Sequence, residues 1–206
     1  MNLRNLSFIL FLFSCSAFVI SCSKDDEIAE NKTYELKEIS WTLKDGDGQE
    51  IIEKKLPEQV FRNDGNSAMP ISIKPLEGLK GTSQFFNGDI QLFSKLNGNE
   101  VDVSIPSLVE LLSSSGSGYV VGGIKVPFRL EESSFPFSTD IKETTELPPH
   151  TELHYSATVY LKKITATYSA RIGEKEGFDS YETAGKWTGV FFYTINEASV
   201  LNDIKH

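Results

Sequence analysis

Past residue 33 the chain alternates apolar and polar side chains with a period of two. Ile39, Trp41 and Leu43 alternate with Ser40 and Thr42. Tyr155, Ala157, Val159 and Leu161 alternate with Ser156, Thr158 and Tyr160. Ile164, Ala166, Tyr168, Ala170 and Ile172 alternate with Thr165, Thr167, Ser169 and Arg171, giving one apolar face and one hydroxyl-rich face. This is the pattern of strands with one buried side. Residues 187–195 add a further run of β-formers, with Phe191, Phe192 and Tyr193. The 8 prolines are scattered along the chain and leave little room for helices. The only helical candidate is short, at residues 107–112. Asp45-Gly46-Asp47-Gly48 predicts a hairpin turn. Neither an internal repeat nor a heptad pattern is visible. The pattern predicts an all-β fold with long antiparallel strands, a β-sandwich being the alternative.

The first 33 residues follow a different logic. Arg4 precedes two apolar runs, residues 8–13 and 17–20, that are too short to span a bilayer but suit an export signal. The run ends in Val19-Ile20-Ser21-Cys22, which resembles the lipobox of bacterial lipoproteins. That resemblance implies cleavage before Cys22 and acylation of this residue. Several acyl chains on one residue anchor stably, because each buried CH₂ contributes roughly 0.8 kcal/mol. Lys24, Asp25, Asp26 and Glu27 follow as a compact charged cluster. It resembles the signal that sends lipoproteins of the Bacteroidota to the outer face of the outer membrane. The expected organisation is a signal peptide over residues 1–21, an acidic flexible tether over 22–33, and a single elongated β domain over 34–206. The expected location is the outer membrane, lipid-anchored and facing outward.

Composition narrows the function. The chain of 206 residues carries 20 Lys and Arg against 29 Asp and Glu. Nucleic acid is a poor partner for such a chain, since phosphate neutralisation needs clustered cations. Cys15 and Cys22 are the only cysteines, so the β domain has no disulfide, thiolate nucleophile or cysteine-held zinc.

The search for catalytic chemistry returns little. His150-Thr151-Glu152-Leu153-His154 lacks the glutamate directly after the first histidine that a zinc-protease helix needs. On a strand its histidines would stand about 13 Å apart. Asp45, Asp47 and Glu53 do not complete a calcium loop, because Leu56 stands where the bidentate glutamate belongs. Ser113 to Gly118 contain no nucleophile elbow, and Glu131-Glu132 reads as a solvated face. The chain is therefore expected to be neither an enzyme nor a holder of a metal or other cofactor.

A family resemblance lies in the C-terminal half. Val126-Pro127-Phe128 precedes Phe135-Pro136-Phe137-Ser138-Thr139. Glu146-Leu147-Pro148-Pro149 leads into the alternating strand Ala157-Thr158-Val159-Tyr160-Leu161, followed by Ala166-Thr167-Tyr168 and Gly185-Lys186-Trp187-Thr188-Gly189-Val190. This order resembles the aerolysin-like β-pore-forming proteins of the epsilon-toxin and mosquitocidal-toxin group, over roughly residues 57–195. In that family a proline pair followed by a Thr-rich strand marks a long strand crossing between two sheet regions. Phe61-Arg62-Asn63-Asp64-Gly65-Asn66 is similar to the family's first long strand with its Asn-rich turn. The resemblance implies an elongated β fold, homo-oligomerisation, and a hairpin that refolds into a barrel in a target membrane.

The best hairpin candidate spans residues 89–105. Ile90, Leu92 and Leu96 would form the apolar face of the first arm, and Val101, Val103 and Ile105 that of the second, with Asn97-Gly98 as the turn. Each arm is slightly shorter than the 9–11 residues a barrel strand needs. Residues 108–124, with a tip at 113–118, are a second candidate. Replacing Leu92 and Val103 by Asp is expected to abolish lysis with folding retained. The alternative function is a non-enzymatic surface lipoprotein that binds a glycan or protein ligand, with Thr165, Thr167, Ser169, Tyr160 and Tyr193 forming a polar-aromatic surface.

Overall fold

The computed structural model describes residues 33–87, 93, 96, 101–108, 118–120 and 122–205. Eleven strands follow in chain order among these residues: β1 (Tyr34–Thr42), β2 (Gly48–Lys55), β3 (Gln59–Asn63), β4 (Met69–Ile73), β5 (Lys80–Asn87), β6 (Asp102–Ser104), β7 (Lys125–Pro127), β8 (Ser133–Pro136), β9 (Glu143–Leu147), β10 (Thr151–Glu174) and β11 (Ser180–Asp203). The all-β class with long antiparallel strands holds. The two alternating runs expected at 155–161 and 164–172 are one strand, β10, of 24 residues. At about 3.3 Å per residue it runs about 80 Å.

β10 organises the main sheet. β11 pairs with it antiparallel along its whole length. On its other side β1 pairs with residues 167–174, β2 with 158–165 and β3 with 151–155. The three short strands are thus one long strand interrupted twice. This corrects the expectation of a hairpin at residues 45–48. The turn forms, with Gly46 and Gly48 at φ of 82° and 144°, but β1 and β2 do not pair with each other. The unbroken edge of β10 accepts both, because Thr42 faces Thr167 and Gly48 faces Thr165. The loop between them bulges out opposite Ala166. β5 and then β8 extend the sheet beyond β11. β4 pairs with β9, and β6 with β7, in two small sheets.

The buried face of β10 changes side halfway along. Tyr155, Ala157 and Val159 are buried, then Ile164, Ala166, Tyr168, Ala170 and Ile172. Odd numbers give way to even across residues 160–163. Because a strand's side chains alternate sides, the two apolar groups lie on opposite faces of the β10–β11 ribbon. β11 accommodates the change with a bulge. Tyr160 faces Thr194 and Leu161 faces Phe192, so Tyr193 has no opposite number. The extra residue reverses the phase of β11 and brings Ile195 onto the same side as Val159.

Each face has its own core. The larger contains Trp41, Phe85, Phe128, Tyr168 and Trp187, with Leu96, Val103 and Ile105. Trp41 and Trp187 stack edge-on at 5.3 Å, and Phe85 and Phe128 at 4.8 Å. The smaller core packs Ile71, Ile73 and Leu147 of the β4–β9 sheet against Tyr155 and Ala157. Burial of each large apolar side chain contributes roughly 1.5–3 kcal/mol.

Candidate functional site

The expected hairpin is described in part. Ile90, Leu92 and the turn Asn97-Gly98 lie outside the described residues, as do Cys22, Lys24, Asp25, Asp26, Glu27 and most of residues 107–117. The remaining positions converge. Leu96, Val103 and Ile105 are buried in the larger core and Val101 packs against it, whereas Asp102 is exposed and Ser104 half-buried. Over residues 101–105 the apolar side chains thus lie on the buried side, in the larger core with Trp41, Phe85 and Phe128. Residues 101–105 pair with 124–128 through β6 and β7, extended by hydrogen bonds from Phe128 N to Val101 O (2.8 Å) and from Ile105 N to Ile124 O (3.0 Å). The base of the second candidate hairpin, residues 108–124, is therefore paired as well. One expectation is corrected. Val103 is 3% exposed, so Val103→Asp would place a carboxylate in the core and unfold it, rather than report on membrane insertion alone.

Residues 118–120 reach from this region to the outer edge of β1. Trp41 N donates to Gly118 O (2.8 Å) and Gly118 N to Trp41 O (2.9 Å). The Tyr119 hydroxyl donates to the Glu38 carboxylate, which raises the tyrosine above its usual ionisation range. Inside, the indole N–H of Trp187 donates to Ser83 Oγ (2.9 Å), whereas that of Trp41 has no partner among the described residues.

The hydroxyl-rich side of the upper ribbon forms registered rows. Ser40, Ser169 and Ala184 stand in one row, and Glu38, Arg171 and Glu182 in the next. A cavity of about 330 Å³ lies over them. Arg171 Nη2 donates to Glu38 Oε2 at 2.6 Å. On the far side of the Ser40 row sits the loop before β2. Lys186 Nζ donates to Asp47 Oδ1 (2.6 Å), and Thr167 Oγ1 (2.7 Å) and Lys44 N (2.8 Å) donate to Asp47 Oδ2. Burial works to raise the Asp47 carboxyl, but these bonds outweigh it and hold the group below the ordinary aspartate range. The five residues expected to form a polar-aromatic surface do not share a face. Thr165, Thr167 and Ser169 are odd-numbered on β10 and Tyr160 is even, so the pleat sends them to opposite sides. Tyr193, in the bulge, lies under Lys162 Nζ, 5.0 Å from the ring centre.

Asn63 was missed by sequence reasoning. Its side-chain amide donates to Leu147 O (2.9 Å), Pro148 O (3.0 Å) and Ser67 O (2.9 Å), and its Oδ1 accepts from Gly65 N (3.0 Å). It ties the Asn-rich turn to the proline pair, two segments more than eighty residues apart. The two histidines go separate ways. His150 meets Asn66, at 3.0 Å. His154 lies between Glu152 (2.7 Å) and Glu58 (3.2 Å), and hydrogen bonds to these carboxylates raise its affinity for a proton.

No family model matches the chain, and no curated protein does. Among solved structures, the chain is similar to the lamprey immune protein, at 12% identity over 83% of this chain and 54% of that one, with a TM-score of 0.43. The chain thus spans about half the length of the lamprey protein. It is also similar to parasporin-2, a Bacillus thuringiensis toxin that recognizes cancer cells, at 12% identity over 83% and 75% of the two chains, TM-score 0.36. A third is the aerolysin-like protein of Bombina maxima, at 10% identity over 83% and 98%, TM-score 0.32.

Proposed function

We propose that this is a membrane-active β protein of the aerolysin-like kind, anchored through an acylated Cys22, which oligomerises and inserts a hairpin containing residues 101–105 into a target bilayer. The observation that carries the reading is the covered amphipathic strand. Val103 and Ile105 are buried, while Asp102 before them is exposed and Ser104 between them is half-buried, the one-sided pattern that a barrel strand with one lipid-facing side requires. Edge pairing between inserted hairpins would supply the backbone hydrogen bonds that lipid cannot. The chain's own residues do this work without a cofactor. The test places a polarity-sensitive fluorophore at Val101→Cys or Asp102→Cys and adds dye-filled vesicles. Insertion gives dye leakage, lipid-borne quenching at 101 and aqueous quenching at 102. Aqueous quenching at both, with no leakage, refutes it. Mass spectrometry of the native product tests acylation of Cys22, and protease shaving of intact cells tests outward display.

The second reading is a non-enzymatic surface lipoprotein that binds a glycan or protein ligand. The cavity over Ser40 and Ser169 favours it, because Glu38, Arg171 and Glu182 offer both charge signs beside the exposed ring of Tyr119. It predicts ligand binding that Arg171→Ala removes, with vesicles left intact at every concentration.

A further inference from the structure

The sheet edges of this protein are unequally guarded. An open edge offers unpaired N–H and C=O groups to any passing strand, and proteins blunt such edges with charge, proline, shortness or a cover. The outer edge of β1 is bridged by Gly118 at Trp41 and carries Glu35, Lys37 and Glu38. β2 carries Glu50, Glu53, Lys54 and Lys55 among its 8 residues. β3 is 5 residues with Arg62, and β8 is 4 residues ending in Pro136. β4 contains Pro70, and β9 carries Glu143 and Glu146. The longest such edge among the described residues without a cover is β11 past the point where β5 leaves it. β5 pairs with residues 185–190 only. From residue 192 to 203 β11 is paired with β10 on one side and, among the described residues, with nothing on the other. This stretch contains no proline, lysine or arginine. It exposes Tyr193, Val200 and Leu201, the last two at 57% and 51%.

We propose that this edge is a homodimer interface, on which the same edge of a second copy pairs antiparallel about a two-fold axis at Ala198. The segment is self-complementary in that register. Ala198 faces its own copy, Glu197 faces Ser199, Asn196 faces Val200, and Tyr193 faces Asp203. Like charges never oppose each other. Ile195 and Leu201 also meet twice across the axis. Both are on the side of β11 that bears the smaller core, because no further bulge follows Tyr193, so the apolar surface of that core continues into the second copy. Two-fold pairing of one edge with itself closes after two copies, unlike the ring of the membrane-active reading. The dimer is a separate state of the soluble protein and does not depend on pore formation.

The experiment is sedimentation equilibrium of the full-length chain in density-matched detergent, for wild type, Ala198→Lys, Ala198→Glu and an equimolar mixture of the two. Ala198 is exposed, so neither change disturbs the monomer, and circular dichroism checks this. Wild type is expected to be a dimer. Each single variant sets like charges face to face across the axis and should weaken dimerisation by up to about fivefold. The mixture should restore it as a heterodimer. A wild-type monomer at all concentrations, a dimer indifferent to either substitution, or a mixture that stays monomeric would each overturn the proposal.

Discussion

Asp47 is the most exacting test of how the loop between β1 and β2 is held. Its side chain is fully covered, while its partner Lys186 is 43% exposed. Three donors converge on the carboxylate, and a hydrogen bond to a charged group contributes about 1.5–3 kcal/mol. The three do not add, because in Asp47→Ala the lysine regains water and the Thr167 hydroxyl can turn elsewhere. The expected loss is therefore about 2–4 kcal/mol, or roughly 5–15 °C in melting temperature for a chain of this size. The neighbouring Asp45 is exposed, and Asp45→Ala should change stability by no more than about 0.5 kcal/mol. The sign of the pH dependence follows from the lowered carboxyl. The folded state binds its proton less readily than the unfolded chain does. The stabilisation is therefore fully present above the ordinary aspartate value of about 3.9, and is lost as pH falls through the lower folded value. Thermal melts by circular dichroism at pH 7 and down to pH 3 should show the gap between wild type and Asp47→Ala closing with acid. A gap of less than about 2 °C at pH 7, or one that stays constant down to pH 3, would refute the pinning argument.

Other substitutions probe different parts of the fold. In Gly185→Ala the new methyl carbon would stand 1.9 Å from Phe86 O and 2.9 Å from the Tyr168 hydroxyl. β5 and β11 must then part, lowering the urea midpoint by the equivalent of about 2–3 kcal/mol. Asn63→Ala removes the amide that Ser67 O, Leu147 O and Pro148 O share, though Pro148 O keeps the Thr151 hydroxyl; it should cost about 1–3 kcal/mol and speed amide exchange in residues 64–67. His154 should titrate above the ordinary histidine value in an NMR experiment, and Glu152→Gln should bring it back down. Its contribution is complete below the ordinary value and disappears as pH rises through the raised one.

Much of the fold was legible because strands write their faces into the sequence at period two. The five apolar residues from Ile164 to Ile172 are all buried and Ser169 and Arg171 are exposed, as their chemistry states, although Thr167 is buried and Thr165 half-buried. What could not be read was where that phase breaks. Tyr160, Leu161, Lys162 and Lys163 are all half-buried, so nothing in their composition marks a crossover from one face to the other. The compensating bulge at Tyr193 lies in the partner strand and has no glycine to announce it. Pairing was equally hidden. Asp45-Gly46-Asp47-Gly48 has the local chemistry of a hairpin, but β10, more than a hundred residues later, captures both flanking strands. Asn63 was a turn residue by type, and its bonds to Leu147 and Pro148 depend on a contact no local pattern encodes. The apolar side of residues 101–105 was visible, but its packing against Trp41 of β1 and Phe85 of β5 comes from strands far away in the sequence, with only Phe128 supplied by the segment it pairs with.

That packing also decides what the proposed insertion must overcome. Leu96, Val103 and Ile105 together gain roughly 5–9 kcal/mol from burial, but a bilayer would return a similar amount, since lipid tails are as apolar as the core they leave. Their own transfer is close to neutral. The backbone attachment through β6 and β7 is short, at 3 residues each. The larger cost falls on the surface left behind, where Trp41 of β1 and Phe85 of β5 would meet water. Against this stands the indole N–H of Trp41, which has no partner among the described residues and would find one in water. The balance between the covered and the inserted states is therefore set less by the hairpin than by whatever re-covers Trp41 and Phe85.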